Sequence, residues 1–233
     1  PWAWIPSLYF AEGLPYVVVM TLSVIMYKRL GVSNTDIALF TSWLYFPWVI
    51  KPIWSPFVDL IKTKRWWIYS MQLLIGGGMA GVAFVLPGDF FLRFTLAFFW
   101  LMAFSSATHD IAADGFYMLG LTEEQQAFFI GIRNTFYRVA MLTGQGLLVM
   151  LAGLLEESTG RISFAWSLVF FVLAGTFIAL ALWHKYILPR PASDAQRTNI
   201  TPHTILVEFG NTFVSFFNKK GIVPALLFML TYR

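Results

Sequence analysis

Apolar residues fill this chain in long blocks rather than in the short alternations of a water-soluble fold. A membrane-crossing helix needs about 20 largely apolar residues, and six stretches reach that length, at roughly 2–26, 37–58, 66–86, 90–119, 128–155 and 164–188. A seventh begins near Gly221 and runs to the end of the sequence. Polar or helix-breaking residues sit inside the blocks: Glu12, Gly13 and Pro15 in the first, and Pro47, Lys51, Pro52 and Pro56 in the second. The third holds Gly76, Gly77, Gly78 and Gly81; Gly77 and Gly81, four apart, predict a small-residue packing surface. The fourth carries His109, Asp110 and Asp114, and the fifth Arg133 and Arg138.

Between the sixth and seventh blocks, residues from about Pro189 to Thr204 are polar and broken by Pro189, Pro191 and Pro202. After them Ile205, Leu206, Phe209, Phe213, Phe216 and Phe217 recur at three- and four-residue steps. That spacing predicts an amphipathic helix too short and polar to span, suited to the membrane interface. The expected fold is all-α: a polytopic bundle of six transmembrane helices (1–188), a cytoplasmic linker with an interfacial helix (189–220), and the start of a seventh helix (221–233). The order reads as the midpoint of a two-bundle protein, and the missing initial Met and the apolar carboxy terminus read as part of something longer.

Composition points the same way. Hydrophobic residues make up 58% and charged residues 12%, with mean hydropathy +0.67, against about 25% charged in soluble domains. A globular protein of this size has no interior large enough for that surface, so lipid is the solvent for much of it. Trp2, Trp4, Trp66, Trp67, Tyr69, Trp183 and Tyr186 fall at block ends, where aromatic belts form. With no cysteine, disulfides, thiolate metal sites and cysteine nucleophiles are excluded. No metal or cofactor signature appears. The net charge of +4 sits in short loops, which fits membrane topology rather than nucleic-acid binding. Asn199-Ile-Thr201 matches a glycosylation acceptor, but its expected cytoplasmic side leaves it unmodified.

The Lys/Arg bias sets orientation. One side holds Lys62, Lys64, Arg65, Lys185, Arg190, Arg197, Lys219 and Lys220, and the other Lys28, Arg29, Arg93 and Arg161, eight against four. The amino terminus is therefore expected in the cytoplasm. On that topology, at 1.5 Å per residue, Glu12, Lys51, Asp110 and Arg138 lie roughly 12–15 Å in from the cytoplasmic face. Two acids and two bases at one depth can neutralise one another. Asp59, Lys62, Asp114 and Arg133 form a shallower group at the cytoplasmic gate.

A charge at the bilayer centre costs about 2.5–3.5 kcal/mol on insertion scales, so it marks a partner and a purpose. Asp110 and Asp114 are one helical turn apart on one face, and two carboxylates that close favour sharing a proton unless Arg133 or Arg138 compensates. These groups read either as gate and folding ion pairs or as carriers of a coupled proton, with Glu12 the other candidate beside Gly13 and Pro15. Lys51 reads as an anion site or as a partner for an acid. His109 reads as a proton relay or as a hydrogen-bonding residue within the bundle.

Three motifs in order bring a family into view. Ser7-Leu-Tyr-Phe-Ala-Glu-Gly-Leu-Pro-Tyr16 resembles the opening of AmpG-type permeases and the related acetyl-CoA transporters, both of the major facilitator superfamily. Pro47-Trp-Val-Ile-Lys-Pro-Ile-Trp-Ser-Pro-Phe-Val-Asp59 is similar to their second span, and Ala107-Thr-His-Asp-Ile-Ala-Ala-Asp-Gly115 to their fourth. Asp59 with Lys62, Lys64 and Arg65 occupies the place of the superfamily's loop motif, without the glycines that usually flank its Asp.

The resemblance implies a secondary active transporter with alternating access between two six-helix bundles, in the inner (plasma) membrane. Its AmpG-type branch implies proton-coupled uptake of cell-wall muropeptides, and the other branch acetyl-CoA. A reading of a different class is an intramembrane enzyme built on His109, Asp110 and Asp114. No His-Glu-x-x-His or Gly-x-Ser-x-Gly motif supports it. The partners implied are lipid, a small or glycopeptide solute and a proton, and no nucleic acid.

Overall fold

A computed structural model describes residues 1–194 and 202–231, and every described element is helical. Arg197 and the Asn199–Thr201 acceptor lie outside the described residues. The first helix, α1, is continuous from Ile5 to Arg29 and passes through a π turn at Val18–Leu22. The chain then runs in pieces: α2 (Asn34–Thr41), a 3₁₀ turn at Ser42–Tyr45, α3 (Phe46–Ile50), a second 3₁₀ turn at Lys51–Ile53, and α4 (Ser55–Ile61). Four long helices follow: α5 (Lys64–Val85), α6 (Phe91–Gly120), α7 (Glu123–Thr159) and α8 (Ile162–Ile187). Beyond a 3₁₀ turn at Ala192–Asp194 come α9 (Pro202–Phe217) and α10 (Ile222–Thr231).

Among the described residues five helices, α1 and α5 to α8, are long and apolar enough to cross a membrane. The stretch expected as the second span is not one of them. Pro47, Pro52 and Pro56 each remove a backbone donor, so its helix breaks into turns that never build a continuous hydrogen-bond ladder. α10 covers ten residues of the expected seventh block.

Helix ends follow local chemistry. Ser33 accepts from the Asp36 N–H at 3.1 Å, Thr63 from the Trp66 N–H at 3.1 Å, and Thr122 and Gln125 cap each other reciprocally. Gly160 closes α7 at φ 65°, a left-handed position that other residues adopt only with strain.

α5 lies between α6 and α8, and its glycines set the spacing. A Cβ on Gly78 would lie 2.7 Å from Met102, and one on Gly81 2.4 Å from the Phe98 ring, both on α6; one on Gly76 would lie 3.3 Å from the Ala174 carbonyl on α8. The expected Gly77–Gly81 surface is thus corrected: Gly77 meets nothing within 4 Å, and Gly78 takes its place. α1 packs on α7 by the same device, since a Cβ on Gly13 would meet the Tyr137 carbonyl at 2.9 Å. Further along, Gly144, in a π turn at Thr143–Leu147, faces Val17 beside the π turn of α1.

Two apolar clusters divide the interior. The larger joins Leu14, Val18, Leu22, Ile75, Met79, Phe99, Met102, Phe170 and their neighbours. The smaller, at the Ile5 end, joins Trp4, Leu8, Ile68, Phe116, Phe129 and Leu188. Trp4, expected in an interfacial belt, is 3% exposed and packs edge-on against Phe116. Polar residues lie among the apolar ones of four helices: Ser7 and Glu12 on α1, Gln72 on α5, Ser106, His109 and Asp110 on α6, and His184 on α8.

Candidate functional site

The polar level begins with Asp110 on α6. Its Oδ2 pairs with Lys51 Nζ at 3.7 Å, and the Lys51 side chain keeps 36% of its surface open against 12% for Asp110. Lys51 starts a 3₁₀ turn just before Pro52, so the broken backbone places this cation at the rim of the bundle rather than within it. Glu12 is buried on α1, and the charges whose fields reach it are Asp110, Asp114, Arg133 and Lys51. Its Oε2, like Asp110 Oδ1, has no hydrogen-bond partner among the described residues. Tyr16, Tyr45 and Trp48 form an aromatic wall nearby, with Tyr16 edge-on to Trp48 at 5.2 Å and Tyr45 stacked on it at 6.5 Å.

Arg138 does not join this group. It is exposed on α7 and makes no ion pair among the described residues. Of the four charges expected at one level, two form a pair, Glu12 lies within their field, and Arg138 stands apart. The physical reason is rotation: residues 133, 137, 140 and 144 of α7 turn toward α1, and position 138 turns away.

The second set of residues is nearer the Ile5 end. Arg133 Nη2 donates to Asp114 Oδ1 at 2.7 Å, and Tyr9 donates to the same oxygen at 3.5 Å. The Arg133 guanidinium lies over the Tyr9 ring at 4.3 Å and the Tyr117 ring at 5.1 Å, so a cation is held between two π faces and a carboxylate. Asp59 pairs with Lys64 rather than with Lys62. The Lys64 stem crosses Gly115, where a Cβ would meet its Cε at 2.8 Å. This explains a glycine after Asp114.

His109 turns to neither acid. Its Nε2 bonds Gln72 Nε2 at 2.9 Å, Gln72 Oε1 bonds His184 Nδ1 at 2.9 Å, and His184 Nε2 bonds Ser7 Oγ at 3.0 Å. Four helices, α6, α5, α8 and α1, are threaded on this chain, and both histidines and Gln72 are fully buried. With the amide oxygen turned to His184, His184 Nδ1 donates to Oε1 and His109 Nε2 accepts from the amide N–H, and His109 Nδ1 is left without a partner among the described residues. His109 thus hydrogen-bonds within the bundle, as one of its two expected readings has it.

At the opposite end Glu156 accepts from Arg29 Nε at 3.0 Å and from Trp166 Nε1 at 2.7 Å, tying α1, α7 and α8 together. Neither this cluster nor the Gln72 chain was foreseen. Their only sequence signal is a lone polar residue in an apolar block, and partners on other helices are invisible until adjacency is known. His109, Asp110 and Asp114, the proposed acid/base or metal cluster, bond to three separate partners, and among the described residues no three His, Asp or Glu converge to hold a metal.

The BT1 family model matches residues 11–210. The chain belongs to the BT1 family. It is 26% identical over 231 residues to the anhydromuropeptide permease of Escherichia coli, covering 96% of this chain and 44% of that protein. It is 22% identical over 223 residues to putative transporter AmpG 3 of Rickettsia typhi, covering 86% of this chain and 49% of that protein. The likeness to AmpG-type permeases expected from the three motifs is thereby borne out. The chain spans about half the length of these relatives.

Proposed function

We propose that this BT1-family chain is the amino-terminal bundle of a secondary active transporter that imports a muropeptide or similar solute by alternating access, coupled to protons. The observation that carries the reading is the Lys51–Asp110 pair beside Glu12: two carboxylates and one cation at mid-bundle, with the cation open to the rim. A proton gained by Asp110 releases Lys51 from its partner, which ties protonation to whatever Lys51 touches at the rim. The relatives' names support a permease, and one of them specifies anhydromuropeptide.

In this reading Asn34–Ile61 is a sixth, broken span. Irregular backbone at membrane depth is tolerated where it is buried in protein or lines a water-filled cavity, so the Lys51 segment belongs on the solute path. The amino terminus lies in the cytoplasm, and Asp59, Lys64, Asp114 and Arg133 close the cytoplasmic side. Residues 189–220 link this bundle to a second, whose first helix begins in 221–233. The membrane is the inner (plasma) membrane.

The test is uptake into proteoliposomes by the intact protein with and without a pH gradient. Glu12→Gln and Asp110→Asn are expected to abolish accumulation driven by the gradient while exchange of solute persists. Unchanged accumulation in both variants removes them as proton carriers. Counterflow with muropeptide against acetyl-CoA separates the two substrates implied by the family resemblance.

A further inference from the structure

Helix α7 shows two kinds of exposed surface. Phe128 and Val139 are apolar and suit lipid. Asn134 and Arg138 are also exposed, one turn apart on one face, and Gln145 is exposed within the π turn. None of the three has a hydrogen bond or ion pair among the described residues. Arg138 lies near the middle of a continuous 37-residue helix, about 23 Å of helical rise from Glu123. A lipid environment leaves five N–H donors unmet there.

Four carboxylates of the bundle already have cation partners. Asp114 is taken by Arg133, Asp110 by Lys51, Asp59 by Lys64 and Glu156 by Arg29. Glu12 is buried on α1 within the fields of Lys51 and Arg133. Tyr137, the residue before Arg138, shares its surroundings with Glu12, Asp110, Tyr16 and Tyr45. One step of about 100° round the helix then carries the chain from the acid cluster to Arg138.

We propose that Arg138, flanked by the amides of Asn134 and Gln145, anchors a carboxylate of the solute. The inference rests on the transport reading above and adds a chemical requirement: the solute is an anion. The planar guanidinium donates two parallel N–H bonds to a carboxylate, and a lysine ammonium offers only a point charge. Amide side chains beside it supply further donors without adding charge.

The experiment measures binding to the intact, detergent-purified protein by thermal shift, and counterflow in proteoliposomes. The probes are a muropeptide, the same muropeptide with its peptide carboxylates amidated, and acetyl-CoA. Wild type is expected to bind the amidated form roughly 10- to 100-fold more weakly than the acid, the range for a lost charge-assisted pair. Arg138→Gln is expected to bind both forms equally weakly, and Arg138→Lys to fall between, which shows that a folded variant with the charge but without the fork is impaired. Equal binding of acid and amide by wild type overturns the anchor and leaves the muropeptide reading standing. Binding of acetyl-CoA alone, lost in Arg138→Gln, overturns muropeptide and the carboxylate and keeps the arginine as a phosphate anchor. Binding of neither anion overturns the proposal.

Discussion

Asp194 accepts the backbone N–H of Lys64 at 2.7 Å across a long stretch of sequence. Its second oxygen accepts the Arg65 N–H at 3.1 Å, and Thr63 takes the Trp66 N–H at 3.1 Å. The first three donors of α5, which a helix cannot satisfy itself, are therefore met by one loop residue and one residue beyond α8. Arg65 Nε returns the contact by donating to the Leu188 carbonyl at 3.1 Å. Replacing Asp194 by Ala is expected to destabilise the protein by about 0.5–2 kcal/mol, the usual cost of a lost cap, with Asn costing less. Thermal unfolding in detergent checks the ranking, and an unchanged midpoint for the Ala variant would show that the cap carries no stability.

Gln72 is the hinge of the histidine chain. Gln72→Leu leaves two buried ring nitrogens without partners, at about 1–3 kcal/mol for each unpaired group. Loss of more than about 2 kcal/mol is expected in reversible unfolding. His109→Leu and His184→Leu are expected to be non-additive with it, by about 0.5–3 kcal/mol. Strict additivity in the double-mutant cycle would mean that the chain does not act as a unit.

Glu156 serves a half-exposed cation and a buried indole at once. Glu156→Gln keeps an acceptor for Trp166 and loses the Arg29 charge; Glu156→Ala leaves the Trp166 N–H buried and unpaired. The Ala variant is expected to lose about 1–3 kcal/mol, and the Gln variant distinctly less. Equal losses would assign the stability to the Arg29 ion pair instead.

The glycines of α5 give a paired contrast. Gly77→Ala meets nothing and is expected to leave stability unchanged or raise it by up to about 1 kcal/mol. Gly81→Ala drives a methyl into the Phe98 ring and is expected to cost about 1–3 kcal/mol. Shortening the ring by Phe98→Leu should recover part of that loss. Identical behaviour at the two sites would contradict the packing of α5 on α6.

Apolar block length was enough to foresee four long helices after the second block and the first one before it, because hydrocarbon thickness dictates it. The break in the second was half legible: its prolines were plain, but how far they would fragment Asn34–Ile61 depends on what packs beside it. Depth arithmetic correctly brought Lys51 to the level of Asp110, since rise per residue is fixed. It misjudged Arg138, because depth says nothing of direction round the helix. Gly77 failed for the same reason, one position from the contact that Gly78 makes. Lys64 rather than Lys62 met Asp59 because Thr63 starts α5 and turns Lys64 back over Gly115, a cap geometry that charge spacing alone does not encode.

The two π turns have a bearing on how any relative is compared with this chain. Each inserts an extra residue into its helix without lengthening the hydrogen-bonded run by a full turn, at Val18–Leu22 in α1 and at Thr143–Leu147 in α7. A wheel drawn straight through either point assigns every later residue to a neighbouring face. Because the insertions lie against each other at Gly144 and Val17, a deletion that straightened one helix would swing its far half out of register with the other. Single-residue gaps at these two places should therefore occur together or not at all.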